Sequence, residues 1–88
     1  MKIRQGFILR DVGGKTFVVA TGELSKEFSG LITLNETGKF IWQLLSEENT
    51  VDSIVDSLMK EYECDNREAI ESDVRNFIAL LEKDNVLE

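Results

Sequence analysis

The first third of the chain alternates short apolar runs with polar breaks, and this pattern predicts a β-hairpin followed by a third short strand. Phe7–Val12 and residues 15–21 are rich in the β-branched and aromatic side chains that strands favour. The two glycines at 13–14 can reach the positive φ angles that a two-residue hairpin turn requires. Residues 22–30 form a polar connection, and residues 31–34 predict the third strand. A strand this short is expected at a sheet edge, where its unpaired backbone groups are open to a partner.

The rest of the chain predicts three amphipathic helices. The first spans residues 36–46 and follows Asn35, whose side chain can cap a helix. The second follows Thr50 as its N-cap, and the third follows Asp65, which has the capping-box offset from Glu68. Strand residues and helical residues at i, i+3 and i+4 spacing are expected to form one core: Ile32, Leu34, Ile41, Trp42, Val51, Ile54, Val55, Leu58, Met59, Tyr62, Ile70, Val74, Phe77, Ile78 and Leu81.

This order of elements predicts a single α+β domain over residues 1–88. It has a three-stranded antiparallel sheet followed by three helices, an arrangement like a winged helix-turn-helix with the wing first. The last helix is expected to end near Asp84, because Asn85 can take the left-handed conformation that closes a helix. Val86 and Leu87 then pack back onto the domain or form a last short extended piece. No run of 18 apolar residues occurs, so no membrane span is expected.

The charge is distributed unevenly between the two halves of the chain, whose net charge is −7. Residues 1–44 carry six Lys/Arg and four acidic residues. Residues 45–88 carry four Lys/Arg and thirteen acidic residues, which gives the helical half a charge of −9. Nucleic-acid binding needs clustered Lys and Arg to displace counterions from phosphates. Nucleic acid is therefore not an expected partner. The simplest explanation of the acidic charge is that it keeps the protein soluble.

The residue types that most often carry catalysis are scarce. There is no histidine, which is the commonest general acid or base and the commonest zinc ligand. The single cysteine, Cys64, cannot form an internal disulfide, and its neighbours Glu63 and Asp65 disfavour a reactive thiolate. We interpret Cys64 as structural or incidental. The sequence predicts no metal, no cofactor and no enzymatic activity, and the missing signal peptide and disulfides indicate a cytoplasmic protein.

One flank of the third predicted helix mixes apolar and polar side chains. At 100° per residue, Phe77 falls on the core side, and Leu80 falls about 80° to one side, beside Asp73 and Asn76. Leu80 either widens the core stripe or lines, with Phe77, a groove against a neighbouring strand. A groove between a helix and a strand edge suits an extended peptide, since the strand supplies backbone hydrogen bonds and the helix supplies side-chain pockets.

An ordered set of short motifs resembles a known family. Residues 32–38, ITLNETG, followed by Ile41 and Trp42, resemble the LNxTGxxIW signature of PqqD-like proteins. The resemblance continues through Thr50-Val51, Ile54-Val55, Leu58, Glu61-Tyr62, Asp73-Val74, Phe77-Ile78 and Leu81. It covers roughly residues 5–87, including the Gly-Gly turn. It departs at Asn85, where the family usually has glycine, although asparagine tolerates the same backbone conformation.

PqqD-like proteins are RiPP recognition elements with a winged helix-turn-helix-like fold. The resemblance implies a peptide chaperone that binds the leader segment of a ribosomally synthesised precursor peptide and presents it to a modifying enzyme. In the original case that enzyme is a radical S-adenosylmethionine (radical SAM) protein that acts on the precursor of pyrroloquinoline quinone. Relatives serve lasso peptides and other modified peptides, so a leader peptidase or a cyclase is also an expected kind of partner.

The resemblance also implies a binding site. In the family the leader adds as a strand to the third strand and lies against the third helix. Carried onto this sequence, the peptide-binding residues are Leu31, Ile32, Thr33, Leu34, Asp73, Asn76, Phe77 and Leu80. If Asp73 borders the groove, a Lys or Arg of the leader is expected beside it.

Two alternatives stay open from the sequence. A winged-helix nucleic-acid binder would show steeply salt-dependent binding to DNA. A generic protein–protein scaffold domain would bind an enzyme and no leader. A monomer or a weak dimer is expected, because an exposed edge strand can pair with itself.

Overall fold

The computed structural model describes residues 1–27, 31–63 and 65–88, and it has three strands ahead of three long helices. The elements in chain order are β1 (Phe7–Val12), β2 (Lys15–Ala20), α1 (Leu24–Glu27), β3 (Ile32–Leu34), α2 (Glu36–Leu44), α3 (Val51–Tyr62) and α4 (Arg67–Lys83). The predicted α+β class is confirmed. β2 and β3 are each one residue shorter than predicted, and α2 is two residues shorter. The interpretation of Cys64 and the end of the predicted connection at residues 28–30 lie outside the described residues.

The sheet is antiparallel throughout and has the order β1–β2–β3. β1 and β2 form the predicted hairpin, with Gly13 and Gly14 at φ angles of 60° and 81°. These angles are disfavoured for residues with a Cβ atom, which is why two glycines make a tight turn here. β3 pairs with the other side of β2 and so lies at the edge of the sheet, as predicted.

The connection after β2 differs from the predicted polar loop because it contains the one-turn helix α1. Its Leu24 is 7% exposed and lies directly against Gly6. Arg4 donates a hydrogen bond to the Glu27 carboxylate at 3.2 Å, which ties the end of α1 to the N-terminal segment. A single apolar residue in a polar stretch has no periodicity. The sequence pattern therefore gave no signal for α1.

The ends of the long helices follow the predicted capping residues with one exception. Thr50 is the N-cap of α3, where it forms a capping box. The N-cap of α4 is Asn66, so the prediction of Asp65 was wrong. Both residue types are good N-caps, and the sequence alone does not choose between two adjacent ones. α4 ends as predicted, with Asp84 as C-cap and Asn85 at φ 58°.

One core joins the buried face of the sheet to the helices. Its members come from every long helix, from β2 and β3, and from both ends of the chain: Ile3, Val18, Ile32, Leu34, Ile41, Trp42, Leu45, Ile54, Val55, Leu58, Val74, Ile78, Leu81 and Val86. The predicted packing of the C-terminus is confirmed, because Val86 is fully buried and Leu87 forms an antiparallel bridge with Ile3. Tyr62 does not join the core. It is 41% exposed and makes an edge-to-face contact with Phe40.

Candidate functional site

β3 presents an open edge of the sheet. It pairs with β2 so that Thr33 lies opposite Phe17, and no strand pairs with its other side among the described residues. Ile32 and Leu34 are buried in the core, whereas Thr33 is exposed. The outward-facing backbone groups of an edge strand are available to pair with a further strand.

A groove of about 730 Å³ runs beside this edge, between β3 and the C-terminal half of α4. Phe77 and Leu80 of α4 line it together with residues 32–34 of β3, which is the juxtaposition that the sequence predicted. Leu80 is 51% exposed, so the alternative that it widens the core stripe is wrong. The groove therefore combines an open strand edge with an apolar helical wall.

The other predicted site residues lie elsewhere. Asp73 and Asn76 line a second hollow of about 340 Å³, between α4 and the start of α2. Phe77 and Asn35 line both the groove and this second hollow, so the two are adjacent. Leu31 lines neither of them. It precedes β3 and is 65% exposed.

Gly38 allows α4 to approach the start of α2. The Oδ1 atom of Asn35 caps α2 by accepting a hydrogen bond from the Gly38 backbone N–H at 2.7 Å. A Cβ atom at Gly38 would lie 3.1 Å from that oxygen, 3.4 Å from the Phe77 ring and 3.5 Å from the Leu34 side chain. Glycine inside a helix is otherwise destabilising relative to alanine. Here it leaves room for the Phe77 ring at the boundary between the groove and the second hollow.

A polar cluster that the sequence did not predict borders the groove near the hairpin. Asp11 accepts a hydrogen bond from the Thr16 hydroxyl at 2.6 Å and pairs with Lys39 at 3.2 Å. Thr16 and Lys39 both line the groove. The hydrogen bonds from Thr16 and then Lys39 hold the pKa of Asp11 below its ordinary value. Asp11 and Thr16 face each other across the β1–β2 hairpin, whereas Lys39 comes from α2, so only the tertiary structure completes the cluster.

The groove offers backbone hydrogen-bonding groups, apolar side chains and a few charges, which are the elements of peptide recognition. Within residues 1–27, 31–63 and 65–88, no group of three or more His, Cys, Asp or Glu residues could hold a metal ion. In the same part of the chain, no helix is long and apolar enough to cross a membrane.

Comparisons with known proteins agree with this architecture. A solved structure described as TbiB1 in complex with the TbiA(beta) leader peptide superposes with a TM-score of 0.77 and 27% sequence identity. The match covers 100% of this chain and 95% of that one. A search of curated protein sequences finds no significant match. The family model for coenzyme PQQ synthesis protein D matches residues 8–87. Because the match spans nearly the whole chain, this protein belongs to the PqqD family.

Proposed function

We propose that this protein binds the leader segment of a ribosomally synthesised precursor peptide beside β3 and presents it to a modifying enzyme. The observation that carries the proposal is the open edge of β3, which lies along the apolar wall formed by Phe77 and Leu80. A peptide added to β3 would take backbone hydrogen bonds from the strand and side-chain contacts from α4. The likeness to TbiB1, which was solved with a leader peptide bound, supports a leader as the occupant.

The proposed peptide-binding residues divide into three roles. The backbone of residues 31–34 pairs with the leader, and within this segment the Thr33 side chain is exposed. Phe77 and Leu80 bury apolar leader side chains in the groove. Asp73 and Asn76 supply polar contacts in the second hollow.

The expected affinity is moderate. Each backbone hydrogen bond to a short strand contributes about 1 kcal/mol net, and apolar contact adds about 25 cal/mol for each Å² buried. Ordering a disordered leader costs a few kcal/mol. We therefore expect a dissociation constant on the order of micromolar. Such an affinity suits a protein that passes its cargo to an enzyme.

We further propose that the protein recognises the leader without acting on it chemically. The modification would then be made by a separate enzyme, such as a radical SAM protein, a leader peptidase or a cyclase. The charge of −9 on residues 45–88 disfavours nucleic acid as the ligand. Leader binding that persists at high salt, with no binding to duplex DNA, would agree with this assignment.

The decisive experiment is a titration with the leader encoded beside the gene of this chain, made synthetically and labelled with fluorescein. Saturable binding by fluorescence anisotropy is expected, and a scrambled peptide is the control. A scan of single N-methylated leader amides then tests strand addition, because only alternate N–H groups of an added strand face β3. Loss of affinity at every second position is expected. Binding that is insensitive to N-methylation throughout would contradict strand addition.

The strand can also be changed from the protein side. Proline lacks the backbone N–H and fixes φ, so Thr33→Pro is expected to impair leader binding. The variant must first show a native circular dichroism spectrum. A folded Thr33→Pro protein that binds the leader normally would count against pairing at β3.

A further inference from the structure

Three hollows follow one another along α4. The groove beside β3 and the second hollow share Asn35 and Phe77, as described above. The second hollow in turn shares Thr37 and Asp73 with a third hollow of about 170 Å³. The third hollow is completed by apolar side chains of α3 and α4, namely Leu58, Tyr62 and Ile70. The three hollows therefore lie side by side along α4, from β3 to the end of α3, and we call this row of hollows the track.

We propose that the leader runs on along this track beyond its β3-paired segment. On this path it places a basic side chain beside Asp73 and an aliphatic side chain in the third hollow. The inference rests on the proposed function and deepens it, because it names the chemistry of leader residues that do not pair with β3.

The geometry of α4 sets the length of this extension. Leu80, Phe77, Asp73 and Ile70 line the track in that order, and their spacing of three or four residues puts them on one face of the helix. At about 1.5 Å per residue, the rise from Phe77 to Ile70 is about 10 Å. An extended peptide covers that distance with about three residues. The third hollow is thus within reach of a leader only slightly longer than its strand-paired segment.

The walls of the third hollow suit an aliphatic side chain. Leu58 is 2% exposed and Ile70 is half-buried, so the hollow is walled by side chains that are already packed in the protein. Tyr62 forms the outer wall, and its edge-to-face contact with Phe40, at 6.0 Å between ring centroids, supports its position. An apolar side chain seated there would cover part of the exposed surface of Tyr62, which favours binding.

Asp73 supplies the charge for the extension. It lines both the second and the third hollow, and it forms no ion pair among the described residues. By contrast, Asp52 and Asp56 on α3 are both paired with Arg67. An unpaired carboxylate on the wall of the track favours a Lys or Arg on the peptide that passes it.

The experiment compares three synthetic forms of the same leader, after N-methylation has mapped its strand-paired segment. One form is complete, and the other two lack the residues on one or the other side of that segment. Trimming one side is expected to weaken binding about tenfold, since it removes one apolar contact and one charge pair. Trimming the other side should have little effect.

Variants of the protein test the same contacts. With the complete leader, Tyr62→Ala is expected to weaken binding about fivefold and Asp73→Asn about threefold. With the trimmed leader that has lost affinity, neither variant should weaken binding further. Glu82→Gln, which removes an exposed charge from the same helix, is the matched control and should change nothing. Replacing the basic leader residue by Gln should abolish the effect of Asp73→Asn, as a double-mutant cycle requires.

Two results would overturn the extension while leaving the proposed function intact. One is equal affinity of all three leader forms. The other is a loss in Tyr62→Ala and Asp73→Asn that is the same for trimmed and complete leaders. If no form of the leader binds the wild-type protein, the proposed function itself fails, so the two failures are distinguishable.

Discussion

Truncation of Leu80 isolates the contribution of the α4 wall to leader binding. Full burial of a leucine side chain is worth about 1.5–3 kcal/mol. Leu80 is 51% exposed in the free protein, so a leader that covers it buries about half of the side chain. The expected loss for Leu80→Ala is therefore about 1 kcal/mol, or about a fivefold rise in the dissociation constant. Stability should fall by no more than about 1 kcal/mol, because about half of the side chain is already buried in the free protein.

The assay is the anisotropy titration with labelled leader, accompanied by thermal unfolding of each variant. Val12→Ala is the matched control, because Val12 is 64% exposed and does not line the groove. It should leave both affinity and melting temperature unchanged. The reasoning is refuted if folded Leu80→Ala binds the leader as tightly as wild type, or if Val12→Ala loses as much affinity.

Three further substitutions probe the packing around the groove and in the core. Gly38→Ala gains up to about 1 kcal/mol of helix propensity, but the added Cβ atom crowds the α2 cap and the Phe77 ring. We therefore expect a nearly unchanged melting temperature and weaker leader binding. Tighter leader binding would contradict this. The pKa of Asp11 lies below its ordinary value of 3.8, so its carboxylate stabilises the fold at neutral pH, and this contribution disappears as the pH falls through the lowered pKa. Asp11→Asn should thus lower the melting temperature slightly at neutral pH and not in strong acid, whereas an equal loss at both would argue against the Lys39 and Thr16 contacts. Leu81→Ala should lower the free energy of unfolding, measured in urea, by about 2–5 kcal/mol because the side chain is fully buried. A loss below about 1 kcal/mol would mean that the core relaxes around the cavity.

Elements with strong local signals were predictable from the sequence. The Gly13-Gly14 turn and the left-handed Asn85 depend on their own backbone angles, and the Thr50 side chain caps an N–H only three residues along the chain. Residue type and local spacing were therefore sufficient. α1 was not predictable, because Leu24 is held by a contact with Gly6 that exists only in the folded chain. The choice of Asn66 over Asp65 as a cap also depends on where α4 packs, which the sequence does not specify.

The candidate site was predictable only in part for a similar reason. Helical periodicity placed Leu80 on a flank next to the core-facing Phe77, and the resemblance supplied β3 as the opposite wall. Neither the periodicity nor the resemblance could show that Asp73 lines the second hollow rather than the groove, because this depends on how closely α4 approaches α2. The pairing of Asp11 with Lys39 joins residues 28 positions apart on different elements, so it required the tertiary structure.

The open edge of β3 has a consequence for how affinity is measured. The backbone groups that would pair with a leader are equally able to pair with β3 of a second copy of the chain. One edge cannot accept both, so self-association and leader binding would compete by mass action. If the protein dimerises weakly through β3, the apparent leader affinity should fall as the protein concentration rises. Titrations at a fixed leader concentration and at a fixed protein concentration would then give different apparent dissociation constants. The size of that difference would report the strength of the dimer.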